Sequence, residues 1–176
     1  MSFWRALAIF SGLSVIMPLI TDICLPAIPD IARYYGVETG RIQQTISFLF
    51  FGAAFGQIVY GPLADRFGRK PVIVITMLMF TVISFFTVYA ATPNSHSFAR
   101  FLQGATGAGG MIIVRAIIRD LYDGAFSTKM FAYTMVGSSL MPILAPIVGG
   151  HVTELLGWKP NFFLIAGFGL VLTLSL

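Results

Sequence analysis

An all-α protein threaded through a lipid bilayer is the fold class this sequence predicts, and three observations predict it. Hydrophobic residues make up 57% of the 176-residue chain and charged residues only 10%, with a mean hydropathy of +0.86, whereas a soluble domain carries about 25% charged residues. Apolar runs of membrane length recur. Ile42 to Ala64 carries no charge over 23 residues, and Pro71 to Ala99 none over 29, where about 20 suffice for one crossing. The decapeptide between them, residues 61–70, reads Gly-Pro-Leu-Ala-Asp-Arg-Phe-Gly-Arg-Lys. A tight basic turn joining two such runs is a cytoplasmic hairpin.

The spans follow in order. Helices are predicted over 4–28, 42–64, 71–92, 97–117, 129–151 and 160–176. Arg5 ahead of the apolar run Ala6–Ile20 could open a signal peptide, but no Ala-x-Ala site follows and apolar character continues to Pro29, so the segment reads as a retained first span. Short connections make neighbouring helices antiparallel. Orientation follows from Lys and Arg: with the N-terminus inside, Arg5, Arg66, Arg69, Lys70, Arg119 and Lys129 are cytoplasmic, against Arg33, Arg41 and Lys159 outside. Tyr34, Tyr35, Tyr89 and Trp158 fall near helix ends, where amphipathic rings settle. The sixth run closes at Leu176, 17 residues after Pro160 is counted in, with no polar cap. The expectation is a truncated sixth span at the end of the front half of a longer protein.

Charge enters the membrane in two spans. Asp22 interrupts the first, and Arg100 and Arg115 bound a charge-free stretch of 14 residues in the fourth. A charge at mid-bilayer costs about 2.5–3.5 kcal/mol on insertion scales, so such residues face a cavity or a partner. Asp22 lies about 9 Å and Arg100 about 5 Å below the outer end of their spans at 1.5 Å rise per residue, depths that let the two approach each other. The alternative is that Arg100 snorkels to the outer headgroups and Arg115 to the inner ones. Ser14, Pro18, Asp22 and Pro26 form one stripe of the first span, and Arg100, Gly104, Gly107, Met111 and Arg115 one stripe of the fourth. Pro18 leaves the Ser14 carbonyl without its helical donor, and Pro26 does the same to Asp22; at membrane depth such carbonyls are tolerated only against protein or water. Spans one and four would be equivalent members of a three-helix inverted repeat.

Several functions are excluded. The net charge of +4 is scattered over loops rather than gathered in a stripe, which argues against nucleic acid. The glycine run Gly104 to Gly110 lacks a preceding strand and a Lys-Ser/Thr ending, so it packs helices rather than phosphate, as do Gly52 and Gly56. Cys24 is a lone buried thiol, and His96 and His151 stand apart with no partner at ligand spacing. No metal, cofactor or enzyme chemistry is expected. The 17 Phe and 8 Met offer soft, polarisable lining for varied apolar ligands.

Five segments resemble motifs of one transporter family. Gly61-Pro-Leu-Ala-Asp65-Arg66-Phe-Gly68-Arg69-Lys70 is similar to motif A of the major facilitator superfamily, and Arg100-Phe-Leu-Gln103-Gly104 to its motif B. Ala145-Pro146-Ile-Val-Gly149-Gly150 resembles the antiporter motif C, departing from it at Ala145 and Met141, where the pattern has glycine. Thr21-Asp22-Ile-Cys-Leu-Pro26-Ala-Ile-Pro29 and Arg115-Ala-Ile-Ile-Arg119-Asp120-Leu-Tyr122 resemble the Bcr/CflA and EmrD-like drug-resistance branch. The resemblance implies the N-terminal six-helix bundle of a major facilitator fold, built as a 3+3 inverted repeat. It implies drug:proton antiport across a bacterial inner membrane, driven by the proton gradient, with a missing C-terminal six-span half as partner. Asp22 is then the proton carrier tuned by Arg100, and Asp65, Arg69 and Asp120 latch one conformation. A metabolite exporter, or a membrane accessory subunit that transports nothing, are the alternatives.

Overall fold

The computed structural model describes residues 3–122 and 124–176. Among them there are helices and turns and no strand: α1 (Phe3–Asp22), α2 (Ile28–Tyr35), α3 (Thr39–Phe67), α4 (Arg69–Phe86) with a 3-10 turn at Thr87–Tyr89, α5 (Pro93–Leu121), α6 (Gly124–Leu156) and α7 (Lys159–Ser175). α1, α3, α4 with its 3-10 turn, α5 and α6 are long and apolar enough to cross a membrane; α7 is apolar but shorter, at 17 residues. The protein is multi-pass in the membrane.

The first predicted span is not one helix to residue 28. It ends at Asp22, and residues 23–27 turn through i→i+3 bonds, Leu25 N to Asp22 O (3.3 Å), Ala27 N to Cys24 O (3.1 Å) and Ile28 N to Leu25 O (3.3 Å). Pro26 has no N–H for the Asp22 carbonyl, and Pro29 suits the first turn of a new helix, so the chain stops and restarts. α2 then lies apart, burying Ile28, Ile31 and Ala32, and closes on Gly36 in the left-handed region (φ 64°). α3, α5 and α6 extend the predicted spans by a few residues at both ends, α4 starts two residues early but ends at Phe86 with its 3-10 turn reaching only Tyr89 rather than 92, and α7 lies one residue earlier than predicted. α5 gains its outer turn from a capping box, in which Ser95 N donates to Thr92 Oγ1 (3.1 Å) and Thr92 N to Ser95 Oγ (3.0 Å), with Pro93 at the first helical position.

Packing is organised around α5, whose residues Gln103 to Gly110 are all buried. α3 meets it at backbone level. A Cβ on Gly52 would strike the Phe101 carbonyl, one on Gly56 the Ala105 carbonyl, and one on Gly104 the Leu49 carbonyl. Helices without side chains at the seam gain dispersion contact along their backbones, which is how bilayer helices associate when water supplies no driving force. α4 and α1 also pack on α5, α1 pairs with α6, and α4 with α7.

Candidate functional site

The broken end of α1 positions the polar groups. Ending a helix leaves carbonyls without donors, and the Ile20 carbonyl receives Arg100 Nη2 at 2.9 Å. A guanidinium at a helix C-terminus also complements the macrodipole. Arg100 is 1% exposed. Its Nη1 donates to Gln103 Oε1 (2.6 Å), Gln103 Nε2 donates to Ser84 Oγ (2.8 Å), and the guanidinium carbon lies 5.6 Å from the Phe162 ring centre. Arg100 therefore neither snorkels nor pairs with Asp22; among the described residues no ion pair joins those two. The expected approach fails because α1 stops at Asp22 and offers Arg100 a bare carbonyl two residues earlier.

Asp22 instead follows its stripe. Ser14, Pro18 and Asp22 line a cavity of about 370 Å³ between α1, α5 and α6, with Phe50 of α3 on its rim. The Ser14 carbonyl freed by Pro18 accepts from Ser138 Oγ of α6 at 3.2 Å. Met111 and Arg115 line the cavity from α5, and Phe131 and Met135 from α6. Gly104 and Arg100, at the other end of the α5 stripe, do not. Arg115 stands 15 residues beyond Arg100, or about 22 Å of helix, so the carboxylate and this exposed guanidinium mark opposite ends. The walls between are thioether, aromatic and hydroxyl groups.

At the other end of α3, the decapeptide forms a charged cluster. Arg69 Nη1 lies 2.8 Å from Asp65 Oδ1, and Arg69 Nε donates to Asp120 Oδ2 at 3.2 Å. One planar fork thus ties α3, α4 and α5 together, which a point charge does less well. Gly68 makes the one-residue turn possible, at φ 91°. Arg66 lies over Phe67 at 5.3 Å, and Gly61 touches nothing that a Cβ would meet. On α6, Ala145 is buried and Gly149 lies against the Ile23 carbonyl, one residue past Asp22, with Gly150 beside Pro26 and Pro146 within the helix.

Sequence reasoning missed a second buried polar group. Asn161 Nδ2 donates to Thr153 Oγ1 (2.8 Å) and to the Gly149 carbonyl (3.3 Å), which also accepts from Thr153 Oγ1 at 2.7 Å. An amide in an otherwise apolar run was the available signal.

The sequence profile of the Major Facilitator Superfamily matches residues 8–176. The chain belongs to that superfamily. It is 34% identical over 176 residues to YdgK of Bacillus subtilis, an MFS-type transporter, covering 97% of this chain and 44% of the relative. It is 30% identical to the bicyclomycin resistance protein homolog of Haemophilus influenzae (90% and 40% covered) and 31% identical to multidrug resistance protein D of Escherichia coli (81% and 36%). Membership places the chain among transporters rather than enzymes. It spans about two fifths of the length of these relatives.

Proposed function

We propose that this chain supplies the N-terminal half of a proton-coupled exporter of small amphipathic molecules, working as a drug:proton antiporter in the inner membrane with its N-terminus in the cytoplasm. The observation that carries this reading is Asp22, a carboxylate without an ion pair among the described residues, on the wall of a cavity lined by Met and Phe. Such a group holds a proton when dry and releases it when wetted or approached by a cation. A ligand entering the cavity and a proton on Asp22 then exclude one another, which is the coupling antiport requires. Each charge moved is driven by about 2.3 kcal/mol per 100 mV. Relatives named for bicyclomycin and multidrug resistance support the substrate class.

Helix pairing supports an inverted repeat. α1 packs on α6 as α5 packs on α3, α3 touches α4 as α6 touches α7, and α4 meets α7. Exchanging α1, α3 and α4 for α5, α6 and α7 maps that set onto itself, as two related triplets do. The cluster of Asp65, Arg69 and Asp120 then serves as a cytoplasmic latch for the outward-facing state, completed by the remaining half. The test is proton release from liposomes holding the full-length protein on drug addition. Asp22→Asn should abolish release while drug binding persists. Undiminished release would remove Asp22 from the mechanism.

A further inference from the structure

His96 and Arg100 sit one turn apart on α5, each 1% exposed. The His96 ring turns one nitrogen toward the Thr87 backbone, while Nδ1 is buried with no partner among the described residues. Bonding to a carbonyl fixes a neutral imidazole as donor on that side and acceptor on the other, so Nδ1 presents a lone pair that lacks a donor. Buried acceptors are nearly always satisfied in folded proteins. Arg100 presents the complementary surplus. Of its five N–H groups, the structure spends one on Gln103, one on the Ile20 carbonyl and one on the Cys24 sulfur, which leaves two.

Between them lies a void of about 10 Å³, lined by His96, Arg100, Thr45, Thr21 and Cys24 among others. That volume is about one water, which also needs two to four polar partners. We propose that this void binds a single water molecule, accepting from the Arg100 guanidinium and donating to His96 Nδ1, with the Thr45 hydroxyl as a third partner. An acceptor without a donor and a donor without an acceptor are then satisfied together. Thr21 lines both this void and the Asp22 cavity, so one side chain separates the water from the cavity. The proposal does not depend on what that cavity carries.

The test is ¹⁵N-histidine NMR of the full-length protein in nanodiscs, with His96→Gln assigning the signal. Nδ1 should resonate as a hydrogen-bonded acceptor nitrogen and show a cross-peak to water. A free lone pair or a protonated Nδ1 overturns the proposal. Thr45→Leu fills the void and should remove the cross-peak; its persistence in the folded variant also overturns it. If the leucine variant does not fold, Thr45→Val keeps the void and removes one partner. The cross-peak should then weaken severalfold, and an unchanged one counts against the site.

Discussion

Gly104→Ala tests whether α3 and α5 meet through their backbones. The new methyl would lie 2.8 Å from the Leu49 carbonyl carbon and 3.1 Å from the Ala53 nitrogen, where optimal carbon contacts are about 3.5–4.0 Å. The Leu49 carbonyl oxygen lies closer still, so the helices must part by more than about 1 Å, because none of these atoms belongs to a side chain that can swing away. Overpacking of this kind costs about 1–3 kcal/mol, and with backbone on both sides the upper end applies. Alanine returns about 1 kcal/mol of helix propensity, leaving a net loss of about 2 kcal/mol. Gly52→Ala meets the Phe101 carbonyl carbon at 2.8 Å and the Ala105 nitrogen at 3.0 Å, so its loss should match. One separation accommodates both methyls, and the double variant should lose about 2–3 kcal/mol rather than the additive 4 or so. Gly167→Ala, where nothing lies within 4 Å, is the control and should be neutral or stabilising by up to about 1 kcal/mol. Reversible unfolding by steric trapping in bicelles measures all four. Wild-type stability for Gly104→Ala, or full additivity in the double variant, would refute the close approach.

Further predictions follow from the polar groups. Arg69→Lys keeps the charge but cannot reach Asp65 and Asp120 together, so full-length transport should fall while stability stays within about 0.5 kcal/mol; unchanged transport counts against the latch. Arg100→Met leaves the Ile20 carbonyl and Gln103 without their donor and should cost about 2–5 kcal/mol in unfolding experiments. Tyr35, outside the membrane-spanning helices, donates to the Ala90 carbonyl at 2.8 Å. Tyr35→Phe should lose about 1 kcal/mol. Burial, and then neighbouring Tyr34, pushes the Tyr35 phenol up to about 12. A phenol raised above its unfolded value of about 10 stabilises fully below that value, and the contribution disappears as pH climbs through the folded one. Phenolate absorbance should therefore show a component near pH 12 that Tyr35→Phe removes, with the tether intact to about pH 10.

Helix positions were legible because lipid demands uninterrupted apolar runs, and no other feature of this chain is so redundant. The cluster of Asp65, Arg69 and Asp120 was legible only through the resemblance to motif A: Asp65 and Arg69 lie on separate helices across the Gly68 turn, and Asp120 reaches them through the fold. The destination of Arg100 was not. It depends on α1 ending at Asp22, and two prolines spaced as Pro26 and Pro29 are compatible with either a kink or a stop. Depth alone placed Asp22 and Arg100 within reach, while the azimuth of each side chain sent one to the cavity and the other to a carbonyl. The partners of Ser84 and Asn161 were unreadable for a related reason: within a charge-free run, periodicity does not say toward which neighbour a hydroxyl or amide turns.

The glycine seam has a mechanical consequence. A contact made of backbone atoms has no rotamers to exchange, so α3 and α5 have no soft coordinate along which to slide, and the pair behaves as one beam. Compliance has to sit elsewhere. α6 carries Pro142 and Pro146 four residues apart, each removing a backbone bond and the stiffness it gives. Its Gly149 bears on the chain just past Asp22. Flexure of α6 about those prolines, against the stiff α3–α5 beam, would be delivered to the end of α1 that holds the carboxylate.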